Sequence, residues 1–220
     1  MFITLEKYKI SSYLPADKES KQVVYLHMPE GGAEAVWNLT NQRFALIVIE
    51  GVDWNREFSP WHHEKVFPKG EDFAGEADKY LAFFTEQLIP EVERIFTLTP
   101  RTRYLAGYSL AGLFAVYAVY HTSLFNGIAS ISGSLWYDGF ADYVKTHDVG
   151  HTPDKIYFSL GDKEAVSARG IMRTVLTCTE QIVELLQNND KNVIFEMNEG
   201  NHFKCVTERI AKGINWLTET

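Results

Sequence analysis

The sequence predicts an α/β fold, a mainly parallel sheet flanked by helices on both faces. Three observations carry that prediction. Phe44-Ala45-Leu46-Ile47-Val48-Ile49 is an unbroken apolar run of strand length, the pattern of a strand covered on both faces. Strand-like runs alternate along the chain with helical patterns of 10–20 residues, as βαβ units do. Polar clusters directly follow the predicted strands, at 50–63, 107–109, 132–137, 161–164 and 198–202. In a parallel sheet these positions share one edge, where open α/β sheets bind ligands.

Taken in order, residues 2–10 alternate loosely (Phe2, Thr4, Glu6, Tyr8, Ile10) and read as one edge strand. Gln22 to Met28 is a second strand, closed by the turn signal Pro29-Glu30-Gly31-Gly32. Ala33 to Leu39 suits a short helix. The 44–49 strand ends in Glu50-Gly51, and an irregular stretch to Gly70 gathers Trp54, Arg56, Trp61, His62 and His63. Phe73 to Phe96 has a 3.6-residue apolar period and reads as a long helix. Pro90 is expected to kink or divide it. A strand at Arg103 to Ala106 leads through a sharp turn into Leu110–Tyr120, apolar almost throughout and therefore a buried helix. Further strands are read at Phe125–Ile131, Lys155–Leu160 and Asn192–Met197. Further helices are read at Gly139–Thr146, at 168–187 with Met172, Val175, Ile182, Leu185 and Leu186 inward, and at the end through Phe203, Val206, Ile210, Ile214 and Leu217.

The 220 residues fit a single domain, 1–220. That length lets a fold bury about 70% of the unfolded surface. With 45% hydrophobic and 23% charged residues, the chain has the composition of an ordinary globular protein. The net charge is 21 − 29 = −8 and no Lys/Arg run is present. Nucleic acid and anionic membrane are therefore not expected partners. The N-terminus turns charged by Glu6-Lys7, without the apolar core of a secretory signal. No apolar run reaches the roughly 20 residues of a membrane helix. Cys178 and Cys205, both in segments read as helices, are too few for a disulfide framework. A cytoplasmic protein is expected, and the Asn38-Leu39-Thr40 sequon carries no weight there. A homo-oligomer remains open.

The chemistry centres on Gly107-Tyr108-Ser109-Leu110-Ala111-Gly112. Small residues around a serine between strand and buried helix let the backbone turn tightly and expose the hydroxyl, the logic of the G-x-S-x-G nucleophile elbow. Alone, the stretch could equally be a Gly-Ser turn before an ordinary helix. A serine needs a base, and the base an orienting carboxylate. The α/β-hydrolase order along the chain is serine, acid, histidine. Ser109, then Asp162 or Glu164, then His202 supply that order after successive strands. His202 follows Gly200-Asn201, a loop able to bring its ring to the serine; a packing or capping histidine is the plainer reading. The acid often sits three residues after the glycine ending the strand, which favours Glu164. Asp162 is the alternative, Glu199 an outside candidate, and a Ser-His dyad without an acid stays open. The two N–H donors an oxyanion needs are expected from Leu110 and Val52.

The elbow, together with Ser132-Gly133-Ser134-Leu135-Trp136-Tyr137, Gly161-Asp162-Lys163-Glu164 and Gly200-Asn201-His202-Phe203, resembles the putative-esterase family of α/β hydrolases. That family includes esterase D, the enterochelin esterases, feruloyl esterases and mycolyltransferases. The likeness runs from about residue 20 to 217 and is strongest to small bacterial members, through Asp53-Trp54-Asn55-Arg56 and Ser59-Pro60-Trp61. It implies Ser109 as nucleophile, His202 as base and an oxyanion donor at Val52. Some siderophore-esterase relatives use a Ser-His dyad. The chain departs from the common motif at Ala111 and is too short for a separate lid domain.

Trp54, Trp61 and Trp136 are candidate pocket walls, or else large core side chains. Arg56 is a candidate contact for an anionic substrate group, or else a loop ion pair. His62-His63 lacks a third ligand, so no metal and no cofactor are expected. The expected function is a serine esterase acting on a small-molecule carboxylic ester or thioester. The alternatives are an acyltransferase using the same site and a non-catalytic binding domain.

Overall fold

In a computed structural model, residues 1–17, 20–149, 153–187 and 192–219 are described. The apolar run becomes β4, Ala45–Glu50, and its neighbour is β3, Gln22–His27. Ala45, Ile47 and Ile49 face one core while Leu46 and Val48 face another, and Val23 and Tyr25 alternate likewise with Val24 and Leu26. A strand buried on both faces keeps no polar side, hence the unbroken run.

The chain begins with β1 (Phe2–Leu5) and β2 (Tyr8–Tyr13). After β3, α1 (Ala33–Leu39) leads to β4, and the next segment contains α2 (Trp54–Glu57), β5 (His62–His63) and β6 (Phe73–Ala74). Helices α3 (Ala77–Phe83) and α4 (Ile89–Ile95) precede β7 (Thr102–Tyr108), α5 (Leu110–Ala118) and β8 (Gly127–Ile131). Then come α6 (Phe140–Thr146), β9 (Lys155–Gly161), α7 (Glu164–Ser167), α8 (Val175–Gln187), β10 (Val193–Asn198) and α9 (Val206–Thr218). The eight-stranded sheet has the order β1-β2-β4-β3-β7-β8-β9-β10. The six strands from β4 to β10 pair in parallel, while β1 and β2 run antiparallel at one edge. The C-terminal ends of β4, β7, β8, β9 and β10 therefore meet along one edge. One face is covered by α3 to α6 and α8, the other by α1 and α9.

Five sequence expectations are corrected. Residues 2–10 are not one strand: a hairpin turns at Glu6, which takes φ 52° without the glycine or asparagine that usually signals such a turn. The long helix begins at Ala77, because Phe73–Ala74 pairs with His62–His63 in a small ribbon. Gly75 (φ 75°) leaves that ribbon where a Cβ would stand 2.4 Å from backbone atoms of Trp61 and His62. Pro90 does not divide the helix. A π turn at Phe84–Leu88 joins α3 to α4, and this local widening accommodates the ring and its missing donor.

The helix read from Ala168 breaks at Gly170 (φ 55°) into a 3-10 turn, so α8 starts at Val175. Val175 and Ile182 are buried as expected, and Leu186 with them, whereas Met172 and Leu185 are only half-buried. Phe203 and Cys205 precede the closing helix rather than joining it. Phe203 is 81% exposed, and Cys205 turns with φ 53°. Cys178 lies within α8, half-buried. Among the described residues no helix is long and apolar enough to cross a membrane.

His27, at the end of β3, is a buried polar group inside this core. Its Nε2 lies 2.7 Å from the Tyr80 hydroxyl, and its ring meets the edges of Phe58, Phe84 and Phe114. Burial pushes its pKa down to about 3. The unfolded chain binds the proton at about 6.5, so between those values protons favour unfolding. Stability on the order of a few kcal/mol is complete above the unfolded pKa and is lost as pH falls below it. Unfolding midpoints recorded from pH 7 to 4 are expected to fall more steeply for the wild type than for His27→Leu.

Candidate active site

The sheet edge is where the sequence candidates meet. β7 ends at Tyr108 and α5 starts at Leu110, so Ser109 alone makes the turn, with φ 59° and ψ −122°. A non-glycine residue in that region costs roughly 1–3 kcal/mol and persists only where neighbours fix it. Here Ser109 N–H donates to the Ile131 carbonyl (3.0 Å), and its own carbonyl accepts from Gly112, Leu113 and Ser134. Gly107 is required by contact, since a Cβ there would lie 2.1 Å from the Ala111 carbonyl oxygen. The motif's departure at Ala111 has a simple reason. The close approach on the helix side falls one residue later, where a Cβ on Gly112 would meet Gly133 Cα at 2.9 Å.

His202 reaches Ser109 from the loop after β10. Its Nε2 is 3.1 Å from Ser109 Oγ, and its Nδ1 is 2.8 Å from Glu164 Oε2. A carboxylate only accepts, so Nδ1 carries the proton and Nε2 is free to accept from the serine. The Tyr108 hydroxyl donates to the His202 carbonyl at 2.5 Å and its ring lies against the imidazole, fixing the loop. The loop also needs Gly161, where a Cβ would lie 2.2 Å from the Gly200 oxygen.

Glu164 is 4% exposed. Burial pushes its carboxyl up, but hydrogen bonds from His202, Gly161 N–H and Ser132 outweigh that, and it sits below the usual carboxylate range. Asp162 is used otherwise: its Oδ1 accepts from the Gly200 N–H at 2.7 Å and closes the His202 loop. Glu199 is exposed and pairs with Lys204.

A cavity of about 770 Å³ opens over Ser109. Trp54, Phe73, Trp136 and Met172 wall it, Asn55, Arg169 and Asn201 add polar groups, and the exposed Phe67 and Phe203 stand at its rim. Leu110 lines it too, and its N–H is one of the first helical amides, which have no partner within α5. Val52 instead lines a smaller cavity of about 210 Å³ that shares Trp54 and His27's neighbourhood. The expected anion contact, Arg56, and one expected wall residue, Trp61, are elsewhere. Arg56 is paired with Glu76 (3.2 Å) and Asp53 (3.6 Å). Trp61 packs on Tyr137, Phe140 and Tyr143 and donates to the Asp138 carbonyl. His62 and His63 belong to the ribbon, and among the described residues no three metal-ligating side chains come together.

The family described as "Putative esterase" matches residues 4–202. The chain belongs to the putative esterase family. It is accordingly a carboxylic ester hydrolase with the α/β-hydrolase fold. It is 28% identical, over 187 residues, to the uncharacterized protein YbbA of Bacillus subtilis, covering 80% of this chain and 75% of that one. In structure it resembles the siderophore hydrolase EstA of Aspergillus nidulans, with a TM-score of 0.77, 21% identity and coverage of 99% and 92%. It also resembles an IroE-like serine hydrolase of Shewanella oneidensis, with a TM-score of 0.74, 19% identity and coverage of 95% and 75%.

Several residues at the site escaped the sequence reading, among them Phe73 and Met172 in the cavity wall and two arginines. Arg169 carries the cavity's arginine, yet nothing in its loop distinguishes it. Arg209 is 2% exposed against Glu164, and a signal existed: a charge beside Val206 and Ile210 on the apolar side of the closing helix. The elbow's steric demand can be tested with two glycines. Gly107→Ala is expected to lower the thermal midpoint by more than about 10 °C or to abolish soluble folded protein. Gly170→Ala, where a Cβ meets nothing but φ is 55°, should cost about 1–2 kcal/mol, a shift of a few degrees.

Proposed function

We propose that this hydrolase works through an acyl-enzyme on Ser109, with His202 as general base and Glu164 as the acid that orients it. The observation carrying this reading is the continuous line Ser109 Oγ–His202 Nε2 (3.1 Å) and His202 Nδ1–Glu164 Oε2 (2.8 Å) beneath the large cavity. Ser109 Oγ attacks the acyl carbon while its proton passes to His202 Nε2. The ionised Glu164 stabilises the imidazolium and holds the proton on Nδ1. The tetrahedral oxyanion is bound by the Leu110 N–H, a donor of a kind worth about 3–4 kcal/mol in the transition state; the N–H of Val52, which lines the adjoining smaller cavity beyond Trp54, is the second donor the family resemblance implies. Collapse breaks the ester bond, and the leaving oxygen or sulfur takes the proton from His202. Water then repeats the sequence, its proton going to His202 and Ser109 Oγ being restored.

The substrate we propose is a small-molecule ester with a bulky, partly aromatic body. The cavity is large and walled by Trp54, Phe73 and Trp136, surfaces on which flat rings pack well. Its structural neighbour from Aspergillus nidulans is described as a siderophore hydrolase, which makes siderophores the first compounds to try.

A fluorophosphonate probe is expected to label Ser109, and Ser109→Ala should abolish p-nitrophenyl ester turnover. Glu164→Gln removes the acceptor that fixes the imidazole tautomer and should lower kcat by about 10²–10⁴. Asp162→Ala, by contrast, should act mainly through the loop and cost less than tenfold. Wild-type protein that neither turns over a broad ester panel nor labels would refute the mechanism.

A further inference from the structure

We infer that Arg209 is a positioning residue for this reaction, a buried fork that locks the acid-bearing strand end to the loop carrying the base. The inference rests on the roles proposed for Ser109, His202 and Glu164. Arg209 sits in the first turns of α9, 2% exposed, so its charge requires compensation within the protein. Nη1 donates to Glu164 Oε1 (2.8 Å) and to Ser132 Oγ (2.9 Å). Nη2 donates to the carbonyls of Asn201 (2.9 Å), His202 (3.1 Å) and Lys204 (2.8 Å). One planar group thus holds the carboxylate with one arm and the backbone of the histidine loop with the other. Nε is buried and makes no hydrogen bond, so the two Nη groups carry the whole function.

The consequence for Glu164 is a division of labour between its oxygens. Oε1 accepts from Arg209, from Ser132 Oγ (2.7 Å) and from Gly161 N–H (2.7 Å). With Oε1 occupied by three donors, Oε2 faces His202 Nδ1. The carboxylate has no rotational freedom left, and the imidazole is held from its ring by Oε2 and from its backbone by Nη2. The charged and titratable groups facing Glu164 are Arg209 from α9, His202 from the loop after β10 and Tyr108 from β7, with Ser132 after β8 and Gly161 on β9 as neutral donors. Arg209 is the one permanent cation in this set. At 2.8 Å from Oε1 it adds a permanent positive charge to the hydrogen bonds from His202, Gly161 and Ser132 that hold the Glu164 carboxyl below its usual range.

Charge and fork can be separated experimentally. Arg209→Lys keeps the cation but, with a single nitrogen, cannot span acceptors on both sides. It is expected to lower kcat at least tenfold with KM within about twofold and the acid limb of the pH profile in place. Arg209→Gln removes the cation as well and is expected to move that acid limb upward in addition. Leu217→Ala, a cavity in the same helix away from the site, serves as the control for lost stability. It should lower the melting temperature with kcat within about twofold. If either arginine variant fails to fold, Ser132→Ala tests the same contact from the other side and should lower kcat while raising the acid limb, again with KM unchanged. Folded Arg209→Lys and Arg209→Gln proteins whose kcat and pH profile match those of Leu217→Ala overturn the inference, as does a wild-type profile in Ser132→Ala. If Ser109→Ala retains turnover, it is the underlying mechanism that fails.

Discussion

The structure depends on one backbone approach, Gly107 against the Ala111 carbonyl. A chain leaving a buried strand must reverse within one residue to enter a helix buried on all sides. No L-side chain fits at the inner corner, where a Cβ would stand 2.1 Å from oxygen. The strain appears on the next residue, Ser109, held at φ 59° by hydrogen bonds from β8 and α5. Tight packing in the interior makes such a corner rigid, so the Ser109 hydroxyl is held in one place. The same corner forces a second close contact, Gly112 on Gly133, which brings the Ser132 turn beneath the site.

From that turn outward the polar groups form one connected layer. Ser132 touches Glu164, Glu164 touches His202 and Arg209, and Arg209 returns to the backbone of the His202 loop. Asp162 and Tyr108 close the loop from two further strands. A buried carboxylate and a buried guanidinium would each be costly alone. Together, with hydrogen bonds to nearly every polar atom, they become a scaffold whose geometry is hard to deform. The large cavity above is walled by aromatic side chains from the 54–73 segment and from the turn after β8, so its walls and the Ser109–His202–Glu164 line come largely from separate parts of the chain.

Much of the fold was legible because both-face burial writes itself into the sequence. Ala45–Ile49 and Leu110–Ala118 read as buried because they are buried all round. Where the reading went astray, the cause was local conformation without a sequence mark. Glu6 turns a hairpin in a left-handed conformation with no glycine. Phe73 continues the helical period of the residues that follow, yet pairs across a ribbon with His63. Pro90, a strong breaker, is absorbed by a π turn in the preceding residues. In the site, Ser109, His202 and Glu164 could be ordered along the chain. Among the four candidate substrate-binding residues, Trp54 and Trp136 reach the cavity, while Arg56 and Trp61 are taken by an ion pair and an aromatic cluster.

By itself the sequence determined which residues end the parallel strands, and so which polar groups share one sheet edge; hydrophobic periodicity and glycine placement suffice for that, because both are local. The tertiary structure separates Glu164 from Asp162, two carboxylates one residue apart, by their partners: Glu164 reaches His202 Nδ1, and Asp162 reaches the Gly200 N–H. It also decided the place of Arg209, seven residues after His202 and one helix turn deeper. A charged side chain becomes part of a site only when distant segments supply its acceptors, and those distances are set by packing across the whole sheet.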